Sequence, residues 1–349
     1  MRERVLLLAA VSVGLASSAA AQPVMGALLD RLRSVDASKV TPADCEAQVA
    51  KSARLNAPDL LYAATVCYAA KQPVEGNFLL NAGQVRAIPD LDLMVPASKQ
   101  DSDVGTSLYG VIFYYAGGPG DEEVLRQPAS RDRLFKLFDA WSPIYAPDYD
   151  PGWRLRRRPN AAAYQAAIAE VRTARRKQLV DLARLYADPT YWSLDHRRQE
   201  LQKRNPTGFA AGTPDATLLN TLMRQMDERA AALGVGGVGP SRDHAARVAA
   251  KVEFPPAAPA SDETPANASG PVVKSCADQA ERMTIAEESK IVGVLITQSP
   301  KWGVIWRADL AAENRPTERL TCTEHTTGSQ PLEAGGDKIA PLPAQTPVQ

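Results

Sequence analysis

The chain has 349 residues, of which 45% are hydrophobic, and its 40 basic and 40 acidic residues cancel to a formal net charge of zero. This balance argues against nucleic acid as a partner, because domains that bind nucleic acid usually carry a clear excess of Lys and Arg. After the N-terminus no window approaches the ~20 apolar residues that a membrane-spanning helix needs, so we expect no membrane span.

Residues 1–21 are typical of a secretory signal peptide. Arg2 and Arg4 precede a short apolar run, and small residues follow it up to Ala21. Gln22 stands where a lipoprotein would have its cysteine, so we expect a free protein that is periplasmic or secreted. An uncleaved N-terminal anchor is the alternative interpretation.

The chain contains four cysteines, and none of them lies in a Cys-x-x-Cys pair. An even number in an exported chain favours disulfide bonds over metal or redox chemistry. Three pairings are possible, and proximity along the chain favours Cys45–Cys67 and Cys276–Cys322. The predicted helices agree with the first pair, because Cys45 and Cys67 lie about equally far from a turn near residues 54–56.

Residues 24–252 are predicted to form a helical domain, in which apolar residues recur at intervals of three and four. Thr41 followed by Pro42 is typical of a helix start, with a capping side chain and a proline in the first turn. The apolar run 108–115 fits either a buried helix or a buried strand. We favour the helix because its neighbours are helical.

The longest predicted helix spans residues 161–187, and Asn160 suits its N-cap. Another helix is predicted over residues 214–233, with Thr213 as its N-cap. The apolar residues of this second helix that we expect to face the core are Leu218, Leu222 and Met226.

One part of the helical domain carries a motif that occurs in repeat proteins. It consists of Leu61-Tyr62-Ala63, Tyr68-Ala69, Glu75-Gly76 and Leu80-Asn81-Ala82-Gly83-Gln84. Through these residues the segment 60–87 resembles one helical-repeat unit of the Sel1 or tetratricopeptide type. No second copy follows at a fixed period, although such repeats bury a core only when about three of them stack.

Composition changes after the helical domain. Residues 253–271 are rich in Pro, Ala, Ser and Thr, which predicts a linker. Residues 272–325 are predicted to form a small α+β module, for which a Cys276–Cys322 bond would compensate for a small core. The predicted strands are 291–297, 304–309 and 319–323. Residues 326–349 are predicted to be a disordered tail.

The predicted fold class is therefore mainly α. A helical-hairpin domain is followed by a linker and by a small disulfide-stapled, β-containing C-terminal module. This order of elements describes the architecture but does not identify an activity, because one fold can carry many functions.

The sequence contains no recognisable catalytic or metal-binding motif. The signatures of nucleophilic hydrolases and the His-Glu-x-x-His zinc motif are missing. His196, His244 and His325 lie in three separate segments. Asp148 and Asp150 lie beside a glycine, which turn chemistry explains better than a calcium loop does. We therefore assign no catalytic residue, no metal ligand and no cofactor.

The segment from residue 141 to residue 158 combines aromatic side chains with clustered arginines. These residue types dominate binding surfaces, because they stack on planar groups and pair with carboxylates. The candidate binding residues are Tyr149, Trp153, Arg154, Arg156, Arg157 and Arg158. The alternative is a connection whose aromatic side chains fill the core while its arginines stay in solvent.

These observations favour an exported, non-catalytic binding or interaction protein of the cell envelope, of the scaffold or inhibitor type, with a protein as its partner. Two alternatives stay open. One is an envelope hydrolase that uses carboxylates dispersed along the chain. The other is a sensor of small anionic ligands held by the arginine-rich segment.

Overall fold

The computed structural model describes residues 22–114, 121–205, 212–235, 258–266, 269–313, 315–323, 327–331, 333–334, 337–338 and 342. The predicted signal peptide 1–21 lies outside the described residues. No helix within the described ranges combines the length and apolar character that crossing a membrane requires.

The structure is mainly helical with a C-terminal sheet, as the sequence predicts. The helices of the N-terminal part are α1 (Gln22–Arg33), α2 (Pro42–Lys51), α3 (Ala57–Ala69), α4 (Pro73–Leu93), α5 (Lys99–Tyr114), α6 (Asp121–Arg126), α7 (Pro128–Ala140), α8 (Ala161–Ala187), α9 (Pro189–Arg204) and α10 (Pro214–Ala232). Two short antiparallel strands within this helical part are β1 (Val95–Pro96) and β2 (Leu155–Arg157). The C-terminal elements are β3 (Thr264–Pro265), α11 (Pro271–Glu287), β4 (Lys290–Ser299), β5 (Gly303–Ala312), β6 (Arg315–Cys322), β7 (Thr327–Pro331), β8 (Glu333–Ala334) and β9 (Asp337–Lys338).

Side-chain caps explain where several helices begin. The Thr41 hydroxyl accepts a hydrogen bond from the Asp44 amide, and the Asp44 carboxylate accepts one from the Thr41 amide, which forms a reciprocal capping box. Asn160 caps α8 and Thr213 caps α10, as predicted. Asp188 ends α8 and also caps α9, so α9 begins at once after α8.

Helix α4 lies at the centre of the helical part and is buried on almost every side. The α3–α4 contact is close at Gly76, where an added Cβ would lie 2.7 Å from the Tyr68 ring. The Cys45–Cys67 bond joins α2 to α3 with its Cα atoms 4.7 Å apart, so the predicted pairing is confirmed. Helix α5 includes the ambiguous run up to Tyr114, which is therefore helical.

The C-terminal strands form an antiparallel sheet in the order β3-β4-β5-β6-β7. Helix α11 covers one face of this sheet, and we call α11 together with β3–β7 the sheet module. The Cys276–Cys322 bond joins α11 to β6 with its Cα atoms 5.8 Å apart, which confirms the second predicted pairing. Apolar side chains buried around this bond include Val273, Trp306 and Leu320.

Charged side chains cover the opposite face of the sheet. Arg307 donates from Nη1 and Nη2 to the two carboxylate oxygens of Glu263, at 2.6 and 2.8 Å, and both side chains are fully buried. Burial alone would raise the pKa of Glu263, but hydrogen bonds from Arg307 and Thr297 hold that pKa below its ordinary value. Arg319 forms an equivalent buried pair with Asp309.

The structure differs here from the predicted linker and the predicted tail. Within the predicted linker 253–271, strand β3 pairs with β4 and Glu263 is buried. Within the predicted tail 326–349, strand β7 pairs with β6, and the Leu342 amide donates to Asp309. Both segments have few apolar residues, but strand pairing and the two buried polar contacts, Glu263 with Arg307 and the Leu342 amide with Asp309, do not depend on apolar composition.

Candidate functional site

The aromatic and arginine-rich segment between α7 and α8 is attached to the helical part along its length. The Ile144 amide donates to the Ala53 carbonyl at 2.7 Å, and the Ala97 amide donates to the Arg154 carbonyl at 3.0 Å. Strand β2 within the segment pairs with β1. The prolines and these backbone bonds explain why the segment follows one path without forming a helix.

Tyr149, one of the predicted binding residues, is buried and not exposed to a ligand. Its hydroxyl donates to Asp90 Oδ2 at 2.7 Å, and the Tyr164 hydroxyl donates to Asp90 Oδ1 at 2.6 Å. Tyr145 stacks on Tyr164 with ring centroids 4.1 Å apart. The three tyrosines and Asp90 therefore join α4, the segment and α8 at one buried point.

Burial dominates the electrostatics of this cluster. Removal from water raises the pKa of Asp90 to about 6, although the two tyrosine hydroxyls and the nearby Arg86 act in the opposite direction. Burial also raises the pKa of the Tyr149 and Tyr164 hydroxyls. Perturbed carboxyls of this kind occur in active sites, but the carboxyl of Asp90 is fully enclosed and out of reach of a substrate.

Arg86 on α4 also contacts the segment that carries Tyr149. Its Nη2 atom donates to the carbonyls of Ala53 and Ile144, at 2.6 and 3.0 Å. Its guanidinium carbon lies 4.9 Å from the centroid of the Tyr149 ring. Its Nε and Nη1 atoms have no hydrogen-bond partner in the described part of the chain. Arg86 thus connects the aromatic and arginine-rich segment to α4 through its hydrogen bond to the Ile144 carbonyl.

The predicted binding arginines are paired within the chain. Arg157 donates from Nη2 to Asp278 at 2.9 Å and to Glu281 at 2.7 Å, both on α11. Hydrogen bonds to Glu281 are the main reason why the pKa of Arg157 is raised. Arg156 lies 3.6 Å from Glu281 and is more exposed. These contacts connect the helical part to the sheet module.

The remaining predicted residues also make contacts within the chain. Arg154 contacts Asp101 at 3.2 Å, and Arg158 donates to the Tyr149 carbonyl. Trp153 packs against Gly105, where an added Cβ would lie 3.2 Å from its ring. The structure therefore places the predicted residues at a junction within the chain, where Tyr149 is buried and the side chains of Arg154 and Arg156 remain largely exposed. Arg154, Arg156 and Arg157 each lie beside a carboxylate of the chain, which lowers their net attraction for an external anion.

Asp92 and Arg282 place a second pair of opposite charges near the same junction. Asp92 at the end of α4 and Arg282 on α11 interact electrostatically, and burial raises the pKa of Asp92 while it lowers the pKa of Arg282. The hydrogen bonds of Arg157 to Asp278 and Glu281 are the ones that hold α11 against the helical part.

An exposed apolar surface lies elsewhere, at the edge of the sheet module. Ile291 and Val292, adjacent on β4, have 39% and 40% of their surface exposed, the highest values among large apolar residues of the described ranges apart from Ile144. Strand β3 pairs only with Thr297 and Gln298 of β4. From Lys290 to Leu295 no described strand pairs with the outer side of β4, and we call this stretch the open edge.

The open edge begins beside a depression of about 670 Å³ whose described lining residues are Glu287, Glu288, Ser289, Lys290, Ala311, Ala312 and Glu313. Three of these residues are acidic and one is basic. Sequence reasoning predicted the strand itself but not the open edge, because the position of a strand within a sheet depends on pairings with distant residues.

The described residues offer little else that could carry chemistry. His196 is exposed on α9, and His244 and His325 lie outside the described ranges. Within the described ranges no three His, Cys, Asp or Glu side chains are grouped so that they could hold a metal ion. The Asp150 carboxylate accepts a hydrogen bond from the Gly152 amide at 2.9 Å, as in an ordinary turn.

Comparisons with known proteins add no relative. The chain matches no family model, no curated protein and no solved structure. The resemblance of residues 60–87 to one Sel1 or tetratricopeptide unit therefore stays a prediction.

Proposed function

We propose that this chain is an exported, non-catalytic binding protein of the cell envelope, in which the helical part carries the sheet module as its partner-contacting region. The observation that carries the proposal is the pair of adjacent exposed residues, Ile291 and Val292, on the open edge. Apolar side chains grouped on an unpaired strand edge are unusual in a protein without a partner, because such edges promote association.

Export is supported by the signal-like residues 1–21 and by two disulfide bonds. Disulfide bonds persist in oxidising compartments and are rare in the cytosol. Cell fractionation with N-terminal sequencing tests this part of the proposal. The mature chain should begin at Gln22, and recovery of intact Met1 from the cytosol would contradict export.

The contacts of the aromatic and arginine-rich segment also support a function of the sheet module in binding. Because Arg157 holds α11 against the helical part, the open edge has a defined position on the molecule. Binding surfaces on rigid elements lose less conformational entropy when a partner docks. The aromatic and arginine-rich segment thus holds the sheet module in place, and the open edge of that module is the binding surface that we propose.

Site-specific photo-crosslinking in cells that export the chain tests the function. A photoreactive amino acid at Ile291 or Val292 should give a crosslinked partner. The matched control is Leu218 on α10, which is similarly exposed at 36% but lies in the helical part. Equal crosslinking at all three positions, or none at Ile291 and Val292, would contradict the proposal.

A further inference from the structure

Among the strands that the structure describes, none takes up the outer backbone groups of the open edge. The Ile296 carbonyl, just beyond the open edge, accepts a hydrogen bond from the Ala266 amide at 3.1 Å, on the side of β4 away from β5. Backbone groups alternate sides along a strand, so the amide and carbonyl of Val294 face the same outer side. Strand β3 ends before it reaches Val294.

The side chains of the open edge favour an extended partner. Ile291, Val292 and Val294 are β-branched, and such residues pack well on the surface of a sheet. The pairing of β4 with β5 shifts register between Ile291 and Gly293, which indicates a bulge at Val292. A bulge and a flanking Lys290 are common protections of a strand edge, but the side chains of Ile291 and Val292 stay exposed.

The charges at the start of β4 indicate what the partner carries. Glu287 and Glu288 directly precede the open edge, Glu288 is exposed there, and Lys290 is the one basic residue of the described lining of the adjacent depression. A strand that lies antiparallel to β4 brings its C-terminal end to this position. Basic residues at that end would complement the carboxylates, and acidic residues would be repelled.

We propose that the open edge accepts an extended segment of a partner protein as an additional antiparallel β-strand, with β-branched residues opposite Ile291 and Val292 and with Lys or Arg at its C-terminal end. This inference rests on the proposed binding function and specifies how the partner is recognised. In recognition by strand addition, main-chain hydrogen bonds provide affinity, and the alternating side chains provide specificity.

The test uses the full mature chain and labelled synthetic peptides, with binding followed by fluorescence anisotropy. The probe peptide alternates valine and threonine and ends in two lysines. A second peptide ends in two glutamates, and a third carries N-methyl groups on the backbone amides that would face β4. We expect the second and third peptides to bind at least tenfold more weakly than the first.

Variants of the chain locate the binding. Ile291→Lys should weaken binding of the lysine-ended peptide at least tenfold, whereas the matched Leu218→Lys should leave binding unchanged. The variant Glu288→Lys should reverse the preference and bind the glutamate-ended peptide more tightly than the lysine-ended one. Far-UV circular dichroism of each variant confirms that the fold is retained.

Three results would overturn strand addition. The first is that the N-methylated peptide binds as tightly as the unmodified one, and the second is that Ile291→Lys leaves peptide binding unchanged. The third is that the chain forms a dimer in sedimentation experiments and that Ile291→Lys dissociates this dimer. The last result would assign the open edge to a second copy of the chain. If Ile291 crosslinks a partner in cells while the peptides do not bind, strand addition is wrong and the binding function still stands.

Discussion

Replacing Asp90 by Asn should change how the stability of the protein depends on pH. The buried carboxyl has its pKa raised from 3.8 to about 6, with burial as the main cause. The folded state therefore binds this proton more tightly than the unfolded state does. By linkage, the contribution of Asp90 to stability is greatest below the unfolded pKa and is lost as the pH rises through about 6.

The size of the effect follows from the two pKa values. A difference between 3.8 and about 6 corresponds to roughly 3 kcal/mol at about 1.4 kcal/mol per pKa unit. About 2 kcal/mol of this amount falls between pH 4 and pH 7. Over that range the wild type should lose about 2 kcal/mol relative to Asp90→Asn, because an asparagine stays neutral at every pH.

Urea denaturation of both proteins, followed by intrinsic fluorescence with the disulfide bonds intact, provides the measurement. The difference between the two free energies of unfolding isolates Asp90, because other titrating groups contribute equally to both proteins. Asp188→Asn is the control, since a hydrogen bond from Arg229 is the main reason why the pKa of Asp188 lies at about 2. Its difference curve should change little and in the opposite direction.

A difference curve for Asp90→Asn that stays flat from pH 4 to pH 7 would refute this reasoning. It would mean that the hydroxyls of Tyr149 and Tyr164, together with Arg86, stabilise an ionised Asp90 as well as water does. A curve of opposite slope would mean that these groups stabilise it better than water does.

Three further predictions concern the sheet module and its junction. Replacing Cys276 and Cys322 by serine should lower stability by about 4 kcal/mol in a thermal melt, because the bond closes a loop with a sequence separation of 46. Arg157→Ala should cost about 1 kcal/mol and Arg156→Ala less than about 0.5 kcal/mol in urea denaturation, because only Arg157 makes two short ionic hydrogen bonds. Glu263→Gln should cost about 3 kcal/mol in the same assay, because it leaves a buried guanidinium without its counter-charge.

Each of these predictions has a result that contradicts it. Equal melting of the oxidised wild type and the serine variant would mean that loop closure contributes nothing to the module. Equal losses for Arg156→Ala and Arg157→Ala would remove the special role of Arg157 at the junction. A neutral Glu263→Gln variant would show that the predicted linker is energetically separate from the sheet.

Features that depend on neighbouring residues could be predicted from the sequence. Thr41, Asn160 and Thr213 cap their helices as expected, because an N-cap bond spans only two or three residues. Both disulfide pairings followed from proximity along the chain. Leu218 was an exception, since periodicity placed it inward, although the structure exposes it near the start of α10.

Features that depend on distant residues could not be predicted in this way. The aromatic and arginine-rich segment looks like a free surface in sequence, because its partners Asp90, Asp278 and Glu281 are far from it along the chain. Glu263 lies in a Pro-rich stretch and is buried because it pairs with Arg307, which is also distant along the chain. The open edge exists because β3 pairs only with the end of β4. The local sequence of β4 does not show which strands will pair with it.

The connectivity of the disulfide bonds also bears on how the chain matures. Each cysteine pairs with its neighbour in the sequence, Cys45 with Cys67 and Cys276 with Cys322. A chain that emerges N-terminus first into an oxidising compartment presents its thiols in that order. An oxidase that joins consecutive thiols would therefore produce the native bonds directly, without an isomerase to rearrange them.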